Sequence, residues 1–118
     1  MLNISRYYKN KIPESEKSEI KKTVTDFIFA HSKPSRMFFF GSILTSVFDS
    51  HSDIDVLLVF KTDVQADQAR RELHQCQRNS QIQHSLEIIC VDKSTFDRKS
   101  SLGGVCSIAA TDGEEVII

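Results

Sequence analysis

The sequence predicts an α/β (α+β) fold, a single domain in which helices flank a small mixed sheet. Segments whose apolar residues recur at helical spacing alternate along the chain with apolar runs too short for helices. The order reads helix, strand, short helix, strand, helix, strand, which is the pattern of helices packed on a sheet. The length, 118 residues, suits one domain, and 40% hydrophobic with 26% charged residues describes a globular chain with one core.

Residues 1–14 form a polar extension ending in Pro13 and Glu14, and the domain proper is expected over 15–118. In "SEKSEIKKTVTDFIFAHS", Ile20, Val24, Phe27 and Ile28 lie on one helical stripe, with Ser15 placed to cap the helix and Glu16 to favour its first turn. The helix ends before Pro34, which drives its predecessor out of the helical region. "RMFFFGS", Arg36–Ser42, reads as a buried strand, with Phe38, Phe39 and Phe40 as core. "ILTSVFD" reads as a short helix and Asp53–Phe60 as a second buried strand. Ala66, Ala69, Leu73 and Cys76 give the polar segment from Gln65 one weakly apolar face, hence a surface helix. His84–Asp92 reads as a third strand. The segment from Ser94 to Thr111 reads as helical in pieces, broken at Gly103-Gly104, and "EEVII" as a closing strand or tail.

Charge narrows the function. A net charge of −1 and a pI near 6.4 argue against a nucleic-acid partner held by a strongly basic surface. No apolar run approaches the roughly 18 residues that span a bilayer, and "MLNISRYYKNK" lacks the apolar centre of a signal peptide. Cys76, Cys90 and Cys106 are odd in number and widely spaced. Together these features indicate a soluble, cytoplasmic protein with inert thiols. The four histidines show no metal-ligand spacing, though His51 lies beside the acids.

The acids inside the strands carry the chemistry. Side chains alternate along a strand, so Asp53 and Asp55 point the same way. Glu87 lies in another strand, and neighbouring strands are only about 4.8 Å apart. Two unit charges about 5 Å apart at an effective dielectric near 20 repel by roughly 3 kcal/mol. Three such pairs approach roughly 10 kcal/mol, comparable to a domain's whole stability. Protonation, basic partners or a cation could offset this. No lysine or arginine lies between Ser42 and Asp55, and a hard cation with oxygen ligands, Mg²⁺ or Mn²⁺, is the economical answer. Gly41-Ser42, ending the first strand, permits a tight turn whose free N–H groups suit a phosphate.

Gly41-Ser42, ten intervening residues and Asp53-Ile54-Asp55 resemble the GS-x10-DxD signature of the DNA polymerase β-like nucleotidyltransferase superfamily. "SDIDVLLVF" resembles that family's wording around the acids, and Glu87 in "LEIIC" extends the likeness to the next strand. "SIAATDGEEVI" resembles the ending of the short bacterial members, the minimal nucleotidyltransferases. The likeness covers roughly residues 16–118. It implies that Asp53, Asp55 and Glu87 hold two Mg²⁺ ions and that Gly41 and Ser42 hold the β- and γ-phosphates of a nucleoside triphosphate, ATP. An acceptor hydroxyl then attacks the α-phosphate, with the third acid helping to activate it. The chain departs from the family pattern in three places. Ser46 stands where a second glycine is frequent, Ile43 and Leu44 stand where a basic residue is frequent, and Glu87 replaces an aspartate. Lys61, Lys93 and Arg98 are the bases that could stand in for the missing one. With no room for a second domain in 118 residues, the acceptor site is expected from a homodimer mate or a separate subunit, such as the small helical partner protein of antitoxin-type members. The alternative is a degenerate module of the same fold that binds nucleotide or a partner without catalysis.

Overall fold

The apolar runs at residues 36–40 and 54–60 become the two inner strands of a four-stranded sheet. In the computed structural model, which describes residues 12–118, helix α1 (Glu14–His31) leads into β1 (Arg36–Phe40). A single 3₁₀ turn (Gly41–Leu44) and a loop connect β1 to β2 (Ile54–Phe60). Helix α2 (Asp63–Gln77) then crosses to β3 (Leu86–Asp92). The short helices α3 (Lys93–Lys99) and α4 (Val105–Asp112) precede β4 (Glu114–Glu115). The spatial order is β3-β2-β1-β4. β1 runs antiparallel to both β2 and β4, and β2 runs parallel to β3. The mixed sheet is therefore as expected.

Alternation along the strands divides the core. Met37, Phe39, Val56, Leu58 and Phe60 pack with Val24 and Ile28 of α1 and with Ala66, Ala69 and Leu73 of α2. Phe38, Phe40, Leu57 and Val59 face the other way, against Phe96 of α3 and Cys106 and Ala109 of α4. Fully burying an aliphatic or aromatic side chain is worth about 1.5–3 kcal/mol, so the first face, covered by the two long helices, supplies most of the stabilisation. At the far edge, Arg36 forks onto Glu115 at 2.7 and 2.8 Å while lying over the rings of Phe38 and Phe96.

Several local readings need correction. The polar extension expected for residues 1–14, with Tyr7 and Tyr8, lies outside the described residues through residue 11. Ser15 does not cap α1. The helix starts one residue earlier, at Glu14, with Pro13 in extended conformation as the N-cap and its carbonyl accepting from the Lys17 amide at 2.9 Å. Instead, side-chain caps occur at Thr62, which accepts from the Gln65 amide, and at Asp92, which accepts from the Thr95 amide. Thr62 draws the start of α2 back to Asp63, and that helix ends at Gln77.

The short helix expected over "ILTSVFD" does not form. After the 3₁₀ turn, Thr45 is extended, and both its amide and its hydroxyl donate to the Ser42 carbonyl. A hydroxyl that satisfies a backbone carbonyl this way competes with helix continuation. The Asp49 carboxylate similarly accepts from the His51 amide at 2.8 Å and closes an Asx turn. β2 begins at Ile54, so Asp53 stands just outside the ladder, and β3 begins at Leu86 rather than His84.

Leu73, fully buried at the centre of the first face, is the place to test this packing. Leu73→Ala should lower unfolding free energy by about 2–5 kcal/mol. Val64→Ala, at a residue exposed on the same helix, should change it by less than about 0.5 kcal/mol. Urea titration of both variants reads the contrast.

Candidate active site

Three chain segments end at one edge of the sheet. β1 finishes there at Phe40, and β2 and β3, being parallel, both begin there. In the register, Asp55 faces Phe40 across one ladder and Glu87 across the other. By alternation Asp55 shares the face of Leu57 and Val59. Those two are buried beneath α3 and α4, whereas Asp55 is half-buried and Glu87 exposed. The helical cover therefore stops short of the acids.

Gly41 turns the chain immediately after β1, with φ at +80°. Its position admits no side chain, because an added Cβ would overlap the Asp55 carboxylate oxygen Oδ2. The glycine thus serves two needs, a backbone conformation that L residues rarely adopt and close approach to an acid. Ser42 sits at the start of the 3₁₀ turn, and its hydroxyl donates to the Asp53 carbonyl at 3.4 Å. The turn and the acids are thereby linked directly.

Asp55 responds electrostatically to this crowding. Its carboxyl is pushed up from 3.8 to about 6, first by burial, then by a hydrogen bond with Glu87 and by the negative charges of Glu87 and Asp53. Asp55 and Glu87 are side by side, and Asp53 is near enough for its charge to be felt. Among the described residues, however, no three acidic, histidine or cysteine side chains converge closely enough to enclose a cation. The acidic oxygens fit a hard divalent ion in chemistry, and such an ion would offset both the burial of Asp55 and the repulsion from Glu87 and Asp53.

A family model described as a nucleotidyltransferase domain matches residues 9–113. The chain belongs to the nucleotidyltransferase domain family. The match spans the Gly41-Ser42 turn, Asp53, Asp55 and Glu87, and ends at Gly113 within the closing segment. Neither the curated proteins nor the solved structures gave a significant match. Family membership assigns the general chemistry, nucleotidyl transfer, and implies a nucleoside triphosphate substrate. Among the described residues, no helix is long and apolar enough to cross a membrane.

The bases considered as stand-ins for the missing one in this nucleotidyltransferase domain are largely misplaced. Lys61 and Lys93 follow the far ends of β2 and β3. Six residues of strand at about 3.3 Å each put them about 20 Å from the acids. Arg98 lies in the last turn of α3. A cation at the loop after the turn comes instead from α1, where Lys17 is buried and its ammonium reaches the Thr45 carbonyl at 2.5 Å. Sequence reading did not single out Lys17. The available signal was its position on the apolar stripe of its own helix, three residues before Ile20 and seven before Val24. His84, whose Nδ1 lies 2.9 Å from the Ser52 carbonyl and whose ring stacks on Phe48, was likewise passed over.

The raised pKa of Asp55 has a defined consequence for stability. The folded protein keeps this proton to about pH 6, while an unfolded aspartate releases it near 3.8. The favourable contribution is therefore fully present only below about pH 3.8, and it is lost progressively as pH rises from there through about 6. In metal-free buffer, Asp55→Asn should raise the melting temperature at pH 7.5, and the gain should fall to about half at pH 5 and approach zero only below about pH 3.8. Thermal denaturation of both proteins across that range measures it.

Proposed function

We propose that this domain transfers a nucleoside monophosphate, AMP from ATP, to an acceptor hydroxyl and releases pyrophosphate. The observation that carries the reading is the approach of Gly41 to Asp55 where Asp55 is already paired with Glu87. It sets a turn suited to phosphate beside a pair of acids.

Gly41 lets the backbone turn tightly past Asp55, and the Ser42 hydroxyl with the amides of the turn holds the β- and γ-phosphates. Asp53, Asp55 and Glu87 would hold divalent cations, magnesium or alternatively manganese, two in the full arrangement. When bound, these would neutralise charge on the phosphate oxygens. The acceptor oxygen bonds to the α-phosphorus as the bond to pyrophosphate breaks. Glu87, the exposed member of the pair, takes the hydroxyl proton. Glu87 also lines a groove of about 440 Å³ at the outer edge of β3, shared with Arg70, Arg71 and His74, by which an acceptor can reach it. The acceptor we favour is a hydroxyl on a small helical partner protein, as in antitoxin-type minimal nucleotidyltransferases, or one presented across a homodimer.

One observation favours a second reading, a module that binds nucleotide or a partner without transfer. The turn after Ser42 is a single 3₁₀ turn and not a helix, so it offers fewer aligned N–H groups to phosphates.

Isothermal titration with ATP should show binding that strengthens when Mg²⁺ is added. Incubation with labelled ATP and the acceptor should give a nucleotidylated product. Asp53→Asn combined with Asp55→Asn should reduce that product by about 100-fold or more without lowering the melting temperature. Unchanged product in the double variant would remove these acids from the site. Binding without product for any acceptor would select the second reading. Gly41→Ala, which forces a Cβ against Asp55, should weaken ATP binding by about tenfold or more.

A further inference from the structure

Lys17 is the one buried charged side chain among the described residues, at 3% exposure. An ammonium removed from water costs several kcal/mol unless partners replace the hydration. Its partners are specific. Nζ donates to the Glu14 carboxylate at 3.0 Å and to the Thr45 carbonyl at 2.5 Å, and it lies 6.0 Å from the centre of the Phe48 ring. Glu14 is on the same helix and largely exposed, so it orients the ammonium without fixing anything distant. Thr45 and Phe48 are remote in sequence, and both belong to the loop that joins the phosphate turn to Asp53.

That loop is held at three successive points. Lys17 takes the Thr45 carbonyl, just past the end of the 3₁₀ turn. Phe48 is fully buried, with its ring stacked on His84 at 5.1 Å between centroids. His84, in the segment leading into β3, contacts the Ser52 carbonyl at 2.9 Å. Between these anchors the loop is polar and largely exposed, with Val47 two-thirds exposed. Its own contact between the two halves of the site, from the Ser42 hydroxyl to the Asp53 carbonyl, is long at 3.4 Å. A contact that weak does not by itself hold a loop of this length.

We propose that Lys17 is a positioning residue for this site, fastening the loop through Thr45 and Phe48 so that the phosphate turn and Asp53 keep their separation. This rests on the nucleotidyl-transfer reading above and adds a residue outside its motif. The positive charge that the sequence lacks between Ser42 and Asp55 comes to the loop from a helix residue 28 positions before Thr45. It acts on the loop's backbone and not on the substrate.

Two variants separate positioning from mere packing. Lys17→Met keeps the apolar stem and removes the donors, whereas Lys17→Arg keeps a cationic donor. Hydrogen exchange at the Thr45, Asp49, His51 and Ser52 amides reports the loop, because each donates a hydrogen bond within it. The amides of β1 and β2 report the core. Lys17→Met should speed exchange in the loop by about tenfold and weaken Mg-ATP binding by about tenfold, the usual scale for a lost charged hydrogen bond. The strand amides should be unaffected, and Lys17→Arg should restore most of both effects. Loop exchange at the wild-type rate in Lys17→Met would overturn the proposal, as would acceleration spread equally over β1 and β2. If Lys17→Met does not fold, Phe48→Leu, which removes the ring but keeps an apolar plug, should loosen the same amides and is judged by the same criteria. A wild-type protein that fails to bind Mg-ATP would overturn the nucleotidyl-transfer reading instead, leaving the loop's exchange rates to decide the role of Lys17.

Discussion

The register between β2 and β3 is the constraint on which the candidate site depends. It sets Asp55 opposite Glu87, and a slip of one residue would send Glu87 to the opposite face of the sheet. When both are ionised, two carboxyls about 5 Å apart repel by roughly 3 kcal/mol. What holds the register is the other face of the same strands. Ile54, Val56, Leu58 and Phe60, with Leu86 and Cys90, are buried against the two long helices, and each full burial contributes about 1.5–3 kcal/mol. The core therefore forces an acidic pair together, and burial, with the hydrogen bond and charge of Glu87 adding to it, keeps Asp55 protonated to about pH 6.

Strand direction places the remaining parts. Because β1 is antiparallel to β2 while β3 is parallel to it, the end of β1 meets the beginnings of both others. Gly41 leaves β1 at that edge, and only a residue without a Cβ can pass the Asp55 carboxylate there. The same directions carry Lys61 and Lys93 to the far edge. The site is thus acidic, with its nearby lysine buried beneath the loop.

The loop from Ser42 to Asp53 is where local and tertiary preferences diverge most. The sequence-based expectation for the ambiguous "ILTSVFD" was a short helix. Thr45 and Asp49 instead satisfy nearby backbone groups with their own side chains, and Phe48 leaves any helical stripe to fill a gap beside His84 and Lys17. Likewise, the capping role assigned to Ser15 was a local inference that Pro13, with its φ near −62° and an extended ψ, pre-empted.

By itself the sequence determined the elements and the chemistry at stake. Alternation fixed Phe38 and Phe40 against Phe39, and Val56 and Leu58 against Leu57 and Val59, because a strand's side-chain period is a local property. Helical spacing found Val24, Ile28, Ala66, Ala69 and Leu73 for the same reason. The signature from Gly41 to Asp55 pointed to the family, since the residue types that handle phosphates and cations are few. Only the tertiary structure decided which strands are neighbours, how Asp55 and Glu87 align, and that Asp53 stands outside the ladder. It alone brought Lys17 and His84 to the loop. Those are long-range pairings, set by how two faces of one sheet bury their apolar side chains, and no local spacing encodes them.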